Sequence, residues 1–212
     1  MRVSIIITNY NYSRYLTRAI QSSLNQNTTQ KNFYEVIVVD DFSKDKSKEV
    51  IKSFGNDIIP IYNKKNYGLP YSINKGILKS KGIYILRLDA DDWIDNNCVS
   101  ILAMFLDKYK NFDYVWPDYN LYDKYENVIA VESNPLGAGV MFRKQLLIDI
   151  GLYDEKMLSN EDKDILIRCQ KITKGYHLKL PLYKYFKHGK SMTSDQKKMN
   201  KYTNLLKKKH NV

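Results

Sequence analysis

The sequence has few cysteines and no long apolar run, and each absence excludes a class of protein. Its 212 residues include only two cysteines, Cys98 and Cys169. Two cysteines cannot form a disulfide framework, and this pair lacks the close spacing of a zinc site. A reducing compartment therefore fits the sequence best. We interpret both cysteines as structural, because neither has a candidate base nearby in the sequence.

Apolar segments are too short to cross a membrane. The run at residues 3–7 is shorter than a signal-peptide core, and no other stretch approaches the ~18 apolar residues of a spanning helix. The motifs G-x-G-x-x-G and G-x-x-x-x-G-K-S/T are also absent, which disfavours dinucleotide oxidoreductases and P-loop enzymes. We therefore expect a cytoplasmic protein that is soluble or peripheral on the inner face of the cell membrane.

Basic residues outnumber acidic ones, with 34 Lys and Arg against 23 Asp and Glu and a formal net charge of +11. Nucleic acid, an anionic membrane face or a phosphorylated substrate could explain this excess, and so could lysine-rich solvated faces without any partner. The excess is greatest towards the C-terminal end, in Lys184, Lys187, Lys190, Lys197, Lys198, Lys201, Lys207, Lys208 and Lys209.

The tail at residues 191–212 is predicted to form a short basic helix from about residue 196. Its apolar residues Met199, Tyr202 and Leu206 fall on one helical face. Because amphipathic basic helices lie on anionic bilayers, peripheral membrane contact through this tail is a hypothesis. No nucleic-acid partner is expected.

Strands and helices alternate in the first 90 residues. Apolar, β-branched runs predict strands at 3–8, 35–40, 57–62 and 83–88. Between them, apolar residues at helical spacing, such as Leu16, Ile20 and Leu24, predict helices, one of them running from Ser43 to about residue 54. This alternation is typical of the α/β class, with a mostly parallel central sheet and helices on both faces of a single domain.

The second half has a less regular pattern. It predicts helices around 101–109, after 142 and over 161–172, and strands at 114–119, 127–132 and 137–142. Ile165, Cys169 and Ile172 are predicted to face inward on the last helix. We place one domain at 1–190, with two halves at about 1–95 and about 96–190, before the basic tail.

Polar clusters follow three of the predicted parallel strands, at residues 8–11, 40–43 and 89–92. Ligands in open α/β sheets bind at the carboxyl ends of the strands, so these clusters should converge in space. Asp89, Asp91 and Asp92 suggest a site for Mg²⁺ or Mn²⁺, because neighbouring carboxylates repel unless a cation neutralises them. A solvated acidic turn that caps the next helix is the alternative.

Two further acidic pairs have both a binding and a structural interpretation. Asp40 or Asp41 could accept hydrogen bonds from a nucleobase NH or a ribose hydroxyl, or Asp41 or Ser43 could cap the following helix. Glu161 and Asp162 open a predicted helix. A carboxylate there either caps the helix or acts as a general base that deprotonates a sugar hydroxyl.

Six segments, in order, resemble glycosyltransferase family 2. They are SIIITNYN (4–11), VIVVDDFS (36–43), NYGLPYSINKGI (66–77), ILRLDADD (85–92), GAGVMFRKQLLIDIGLYDE (137–155) and NEDKDILIR (160–168). They cover most of the first 170 residues. The resemblance implies a GT-A (Rossmann-like) fold and an enzyme that moves a sugar from a nucleoside-diphosphate sugar to an acceptor hydroxyl with inversion.

The resemblance also assigns roles to residues. The nucleotide would contact Thr8, Asn9, Tyr10, Asp40, Asp41, Asn66, Gly68, Asn74, Asp89, Ala90 and Asp91. Asp89 and Asp91 would form the DxD motif that meets ribose and a divalent metal, Mn²⁺ or Mg²⁺, with Asp92 as a rival ligand. Asp162 would be the catalytic base, flanked by Glu161.

Two positions need separate treatment. The segment FKHGKSMTSD (186–195) resembles a part of many relatives in which a histidine lies near the diphosphate or metal. His188 would then be a metal ligand or phosphate partner, and otherwise it is a surface or packing residue. Relatives often carry Arg where this chain has Ile73. If that arginine holds the diphosphate, Lys65, Lys75 or Arg87 would have to replace it.

The implied donor is a nucleoside-diphosphate sugar, foremost a UDP-sugar, and the implied acceptor is a glycan or lipid-linked glycan in bacterial surface-glycan synthesis. Two other functions stay open. One is a Mg²⁺-dependent phosphohydrolase, although its acidic pair usually follows the first strand and here the pair follows the fourth. The other is a non-catalytic module that binds a nucleotide or a polyanion through its basic surface.

Overall fold

The computed structural model describes residues 1–28, 30, 32–189 and 196–211, with the backbone alone for 196–198. In the first half, strands β1 (Val3–Asn9), β2 (Tyr34–Asp40), β3 (Ile59–Tyr62) and β4 (Tyr84–Asp89) lie side by side in the order β3-β2-β1-β4. Their three pairings are all parallel. All seven residues of β1 are buried, which explains its continuous apolar, β-branched sequence.

Helices cover both faces of this sheet. The helices α1 (Ser13–Leu24), α2 (Ser47–Ser53) and α4 (Cys98–Lys108) pack on one face, and α3 (Leu69–Lys79), α5 (Lys144–Asp149) and α6 (Glu161–Gln170) pack on the other. Along β1 the side chains alternate: Ile5 and Ile7 contact the first layer and Ile6 contacts the second. The predicted α/β class with two helical layers is therefore confirmed.

The second half extends the sheet mainly with antiparallel strands. They are β5 (Trp93–Ile94), β6 (Tyr114–Tyr122), β7 (Val128–Glu132), β8 (Met141–Arg143) and β9 (Gly175–Phe186). Strand β8 pairs antiparallel with both β4 and β6 and so joins the two halves. Strand β6 also pairs with β9 in parallel and with β7 antiparallel, and β5 is antiparallel to β9. In the described residues, the parallel arrangement thus dominates the first half only.

Some elements differ from the predicted pattern. Strands β5 and β9 are additional: β5 has two residues, and β9 changes register at Pro181, where the apolar pattern is broken. The helix predicted to start at Ser43 starts at Ser47. Ser43 Oγ instead accepts hydrogen bonds from the side chain of Asn9 and the backbone N–H of Asn11.

The C-terminal helix α7 (Gln196–His210) packs back onto the domain. Its residues Tyr202 and Leu206 are buried against Met157. The apolar face predicted to lie on a membrane is therefore packed within the protein, and membrane contact through the basic tail stays a prediction. Ile172, predicted to face inward, follows the end of α6 and is 63% exposed. Across the described ranges we find no helix with the length and apolarity that a bilayer span requires.

Candidate active site

A cleft of about 510 Å³ opens where the carboxyl ends of β1 and β4 meet the start of α6. Its volume lies within the usual range of small-molecule sites. The lining contains most of the residues singled out in the sequence: Thr8, Asn9, Tyr10, Asp41, Asn66, Gly68, Asp89, Ala90, Asp91, Asp92, Glu161 and Asp162. Three others, Asp40, Asn74 and His188, are not part of the lining.

Two buried oxygen atoms in the cleft wall, Thr8 Oγ1 and Asn9 Oδ1, have no hydrogen-bond partner among the described residues. Thr8 is 8% exposed, and its Oγ1 makes no hydrogen bond with any described part of the chain. Leaving such a buried polar atom unpaired costs about 1–3 kcal/mol. A polar group of a bound ligand would remove this cost.

Asp40 holds two strand ends together instead of facing the cleft. Its side chain is fully buried and accepts hydrogen bonds from Asn9 Nδ2 (2.8 Å) and from the backbone N–H of Ser43 (3.1 Å). These bonds join the end of β1 to the turn after β2. The prediction that Asp40 contacts the nucleotide is therefore corrected to a structural role.

Asp41 lines the cleft and organises the loop before α3. Its Oδ1 accepts hydrogen bonds from Asn63 Nδ2 (2.7 Å) and the backbone N–H of Tyr67 (2.9 Å), and its Oδ2 accepts one from the backbone N–H of Gly68 (2.8 Å). Behind it, Lys75 Nζ donates to Asn63 Oδ1 at 2.8 Å. Lys75 thus supports Asp41 from outside the cleft lining.

Arg87 joins β4 to the start of α6. Its guanidinium donates to Asp89 Oδ1 (2.9 Å) and to Glu161 Oε1 (3.1 Å), and both Arg87 and Glu161 are buried. Burial alone would lower the pKa of Arg87, but Asp89 and Glu161 raise it well above its usual value. Of the three cations considered as substitutes for the family arginine, Arg87 alone lines the cleft. Glu161 lines the cleft and is paired with this guanidinium, and its predicted catalytic role stays a prediction.

Asp91 forms a pair with His188, which comes from the segment after β9. The distance from His188 Nε2 to Asp91 Oδ2 is 2.9 Å, and the imidazole stacks on the Tyr15 ring with centroids 4.9 Å apart. Burial and then the nearby charge of Asp89 raise the pKa of Asp91. Two close carboxylates that repel each other are a suitable setting for a cation.

Asp92 has both oxygens engaged with β9. Oδ2 accepts a hydrogen bond from the Tyr183 hydroxyl (2.5 Å), and Oδ1 accepts one from the backbone N–H of Phe186 (2.8 Å). Asp92 is only 1% exposed, and burial together with Asp91 and Asp89 raises its pKa well above the usual value. Asp92, predicted as a rival metal ligand, therefore links the acidic turn at residues 89–92 to β9. We leave Asp92 out of the candidate metal ligands.

Asp162 is partly exposed in the cleft, at the second position of α6. Its Oδ1 accepts a hydrogen bond from the backbone N–H of Lys163 (2.8 Å). Gly137 packs against it so closely that a Cβ at residue 137 would lie 2.2 Å from Asp162 Cβ. The chain before β8 therefore determines where this carboxylate can lie.

Asn74 belongs to a different part of the molecule. Its Nδ2 donates to the carbonyl oxygen of Tyr153 (2.8 Å), and its Oδ1 accepts from the backbone N–H of Tyr153 (2.9 Å). It lines a separate groove beside Glu155. The predicted nucleotide contact is thus corrected to a link between α3 and the loop after α5.

Several cleft residues have no counterpart among the predicted site residues. They are Tyr12, Leu69, Ser72, Arg87, Leu136, Gly137, Ala138, Leu158, Ser159, Asn160, Lys163, Tyr185 and Met199. The segments GAGV (137–140) and NEDKD (160–164), which carry the family resemblance, indicated some of these residues. No sequence motif indicated that Met199 would line the cleft. In the described residues, no three His, Cys, Asp or Glu side chains form a ready group for a metal ion.

The model of glycosyl transferase family 2 matches residues 4–162, three quarters of the chain. This chain belongs to that family. An uncharacterized glycosyltransferase of Rickettsia typhi is 33% identical over 82% of this chain and 60% of its own length. Another, from Methanocaldococcus jannaschii, is 30% identical over 79% of this chain and 64% of its own length. The family 2 chain thus spans about three fifths of the length of these curated relatives.

Solved structures share the fold at lower identity. Staphylococcus aureus TarS in complex with UDP-GlcNAc superimposes with a TM-score of 0.80 and 20% identity, over 97% of this chain and 65% of that one. A mannosyltransferase of Pyrobaculum calidifontis in complex with GDP-Man and Mn²⁺ gives 0.74 and 13%, over 90% of this chain and 58% of that one. The fold is therefore the GT-A fold implied by the family resemblance.

Proposed function

We propose that this family 2 chain transfers one sugar from a nucleoside-diphosphate sugar to an acceptor hydroxyl, with inversion and with Asp162 as the general base. The observation that carries the proposal is that Asp162 lines the same cleft as Asp89 and Asp91. A base and a group that attracts a diphosphate are the two parts that a single displacement requires on opposite sides of the sugar carbon.

The nucleotide would bind at the end of β1. Thr8 Oγ1 is buried and unpaired among the described residues, so a ligand oxygen or NH can satisfy it. Gly68, whose backbone N–H donates to Asp41, and Asn66 line the same cleft. Since TarS binds UDP-GlcNAc and the Pyrobaculum enzyme binds GDP-Man, we propose a UDP-sugar donor and keep GDP-sugars as the alternative.

A divalent cation, Mn²⁺ or Mg²⁺, fits beside Asp91. Asp89, Asp91 and His188 supply carboxylate and imidazole donors of the kinds that Mn²⁺ accepts. Burial and then the nearby charge of Asp89 raise the pKa of Asp91, and a bound cation would favour the ionised carboxylate. When bound, the ion would offset negative charge on the diphosphate. Arg87, itself paired with Glu161, holds Asp89 by hydrogen bonds to its carboxylate.

Asp162 would act on the acceptor. Its Oδ1 already accepts the Lys163 N–H, so Oδ2 is the atom that takes the proton from the acceptor hydroxyl. The acceptor oxygen then bonds to the anomeric carbon while the bond from that carbon to the phosphate oxygen breaks. The proton remains on Asp162, and the nucleoside diphosphate leaves with the bond's electron pair.

The acceptor and the cellular setting are proposed from the family. We propose a glycan or lipid-linked glycan acceptor, surface-glycan synthesis, and a cytoplasmic location at or near the inner membrane face. Because the apolar face of α7 is buried, any contact of this helix with an anionic membrane falls to exposed lysines such as Lys201 and Lys208.

The first test compares the unaltered chain with Asp162→Asn. UDP-Glc, UDP-Gal, UDP-GlcNAc and GDP-Man are supplied with Mn²⁺, and release of the nucleoside diphosphate is measured. Loss of a general base lowers turnover by about 10²–10⁴-fold. Calorimetry should show unchanged binding of UDP with Mn²⁺, because Asp162 acts on the acceptor.

Asp57→Asn is the matched control, since Asp57 is exposed in a short 3-10 turn outside the cleft. It should leave turnover unchanged. Normal turnover by Asp162→Asn removes Asp162 from the role of base. Release of inorganic phosphate without sugar transfer would instead favour a phosphohydrolase.

A further inference from the structure

The C-terminal helix α7 touches the turn that leads into the proposed base. Asn160 Nδ2 donates a hydrogen bond to Thr203 Oγ1 (3.1 Å), and Ser159 Oγ donates to Met199 Sδ (3.0 Å). Residues 159 and 160 directly precede Glu161 and Asp162. Both contacts therefore act on the segment that sets the direction of α6 and of Asp162.

Asn160 has a backbone conformation that needs support. Its φ of 56° and ψ of 22° lie in the left-handed region, which non-glycine residues adopt at a cost, although Asn tolerates it better than most. The residue is 5% exposed, and its side chain does not cap α6. Its amide reaches Thr203 instead, so a contact from α7 stabilises the strained position before Glu161.

Contacts further along α7 keep the helix in place. Tyr202 and Leu206 are buried against Met157. Near the end of the helix, Lys209 Nζ lies 2.7 Å from a carboxylate oxygen of Asp164, and His210 Nε2 lies 2.8 Å from the same oxygen. Because residues 199, 202, 203 and 206 recur at helical spacing, one face of α7 makes all the contacts with the turn and with Met157.

The same face reaches the cleft. Met199 is part of the cleft lining, together with Ser159 and Asn160 of the turn before α6 and with Asp162 itself. The proposed mechanism assigns Asp162 to the acceptor. A helix that only stabilised the domain would not need to contribute a side chain to this wall.

We propose that α7 forms the part of the cleft wall next to the turn before Asp162 and that Thr203 is a positioning residue, acting through Asn160 on Asp162. This inference rests on the proposed function for what Asp162 does. Its contact network can be tested separately, because the contact between Thr203 and Asn160 exists without substrate.

The test uses the full chain and the variants Thr203→Val and Thr203→Ser. Valine keeps the shape of threonine and removes the hydroxyl, whereas serine keeps the hydroxyl. Hydrogen exchange of amides at 159–163 is measured by mass spectrometry. Loss of one hydrogen bond of about 1 kcal/mol should speed this exchange about fivefold in Thr203→Val, and Thr203→Ser should restore the normal rate.

Kinetics supply a second readout. With the most active of the four sugar nucleotides and Mn²⁺, Thr203→Val should lower kcat severalfold while KM for the donor and the binding of UDP stay unchanged. Thr203→Ser should recover kcat. A general loss of stability would not lower kcat at an unchanged KM. It would also not be reversed by the hydroxyl of Thr203→Ser.

Thr17→Val is the matched control, because Thr17 is exposed on α1 and the chemical change is the same. It should alter neither readout. Unchanged exchange at 159–163 in Thr203→Val overturns the inference, as does an equal defect in Thr203→Ser. Absence of turnover in the unaltered chain, by contrast, counts against the proposed function and leaves the exchange result to decide whether Thr203 holds the turn.

Discussion

The charges around Arg87 are shared between two distant parts of the chain. One guanidinium pairs with Asp89 at the end of β4 and with Glu161 at the start of α6. Burying a charge is costly unless it is paired and hydrogen-bonded, and Arg87 meets both conditions. Among the described residues, Asp91, whose partner is His188, and Asp162 form no ion pair with this guanidinium. We assign Asp91 to cation chemistry, together with Asp89, and Asp162 to proton chemistry.

Gly137 is a residue at which one methyl group should disturb the site. An alanine Cβ would lie 2.2 Å from Asp162 Cβ and 2.9 Å from Arg87 Nη1. We expect Gly137→Ala to lower the free energy of unfolding by about 1–3 kcal/mol through overpacking. Turnover should fall ~10–100-fold, because a displaced base loses its alignment. Urea unfolding and nucleoside-diphosphate release measure the two effects.

Gly189→Ala is the control for that substitution, since a methyl group there meets nothing within 4 Å. Its unfolding midpoint should match that of the unaltered chain. Equal stability and turnover in Gly137→Ala would show that the loop before β8 moves freely away from Asp162.

At the scale of elements, α7 is attached through a charged cluster around Asp164. This carboxylate is fully buried and lies against Arg168, Lys209 and His210. Burial alone would raise the pKa of Asp164, but Lys209 and His210, with Arg168, hold it below the ordinary value of 3.8. The folded protein therefore binds the proton of Asp164 less readily than the unfolded chain does.

The sign of this shift gives a pH prediction. The stabilisation from Asp164 is complete above about pH 4, near the unfolded pKa, and is lost as the pH falls through the lower folded value. Asp164→Asn should therefore be less stable than the unaltered chain at pH 6, with a smaller difference at pH 3. Urea unfolding at pH 6, 4 and 3 measures this, with Asp57→Asn as control. A difference that stays constant across the three pH values would contradict the prediction.

At the scale of the whole molecule, the cleft is assembled from both halves of the sheet. Strands β1 and β4 supply Thr8, Asp89 and the acidic turn, and the second half supplies Asp162 from α6. His188, from the segment after β9, contacts Asp91 from outside the lining. A ligand that contacts both halves favours the folded state over the unfolded chain. Binding should therefore appear as a rise in the melting temperature.

We expect UDP with Mn²⁺ to raise the melting temperature of the chain. At a ligand concentration of about 100 Kd the stabilisation is about 2.7 kcal/mol, roughly 5–10 °C for a protein of this length. UDP with EDTA should give a smaller rise. In Asp91→Ala the difference between Mn²⁺ and EDTA should disappear. An equal shift with Mn²⁺ and with EDTA in the unaltered chain would contradict a cation site at Asp91.

Local sequence determined the parts of the fold that depend on neighbouring residues. Apolar, β-branched runs and helical spacing predicted the parallel strands and their covering helices, because burial on two faces leaves a periodic pattern. Strand β9 escaped prediction, since Pro181 and several lysines interrupt the apolar stretch. The polar clusters at the strand ends predicted the cleft, because ligands of open α/β sheets bind at the carboxyl ends of the strands.

Only the tertiary structure decided which carboxylates are available for chemistry. Asp89, Asp91 and Asp92 are alike in the sequence, but Asp92 is bound by Tyr183 and Phe186 from β9, more than 90 residues away. Likewise, Glu161 faces Arg87 while its neighbour Asp162 faces the cleft. The sequence thus determined the family, the alternating strands and helices of the first half and the acidic character of the site. Tertiary contacts decided the role of each acid, because a side chain's pKa and accessibility depend on partners that the local pattern does not contain.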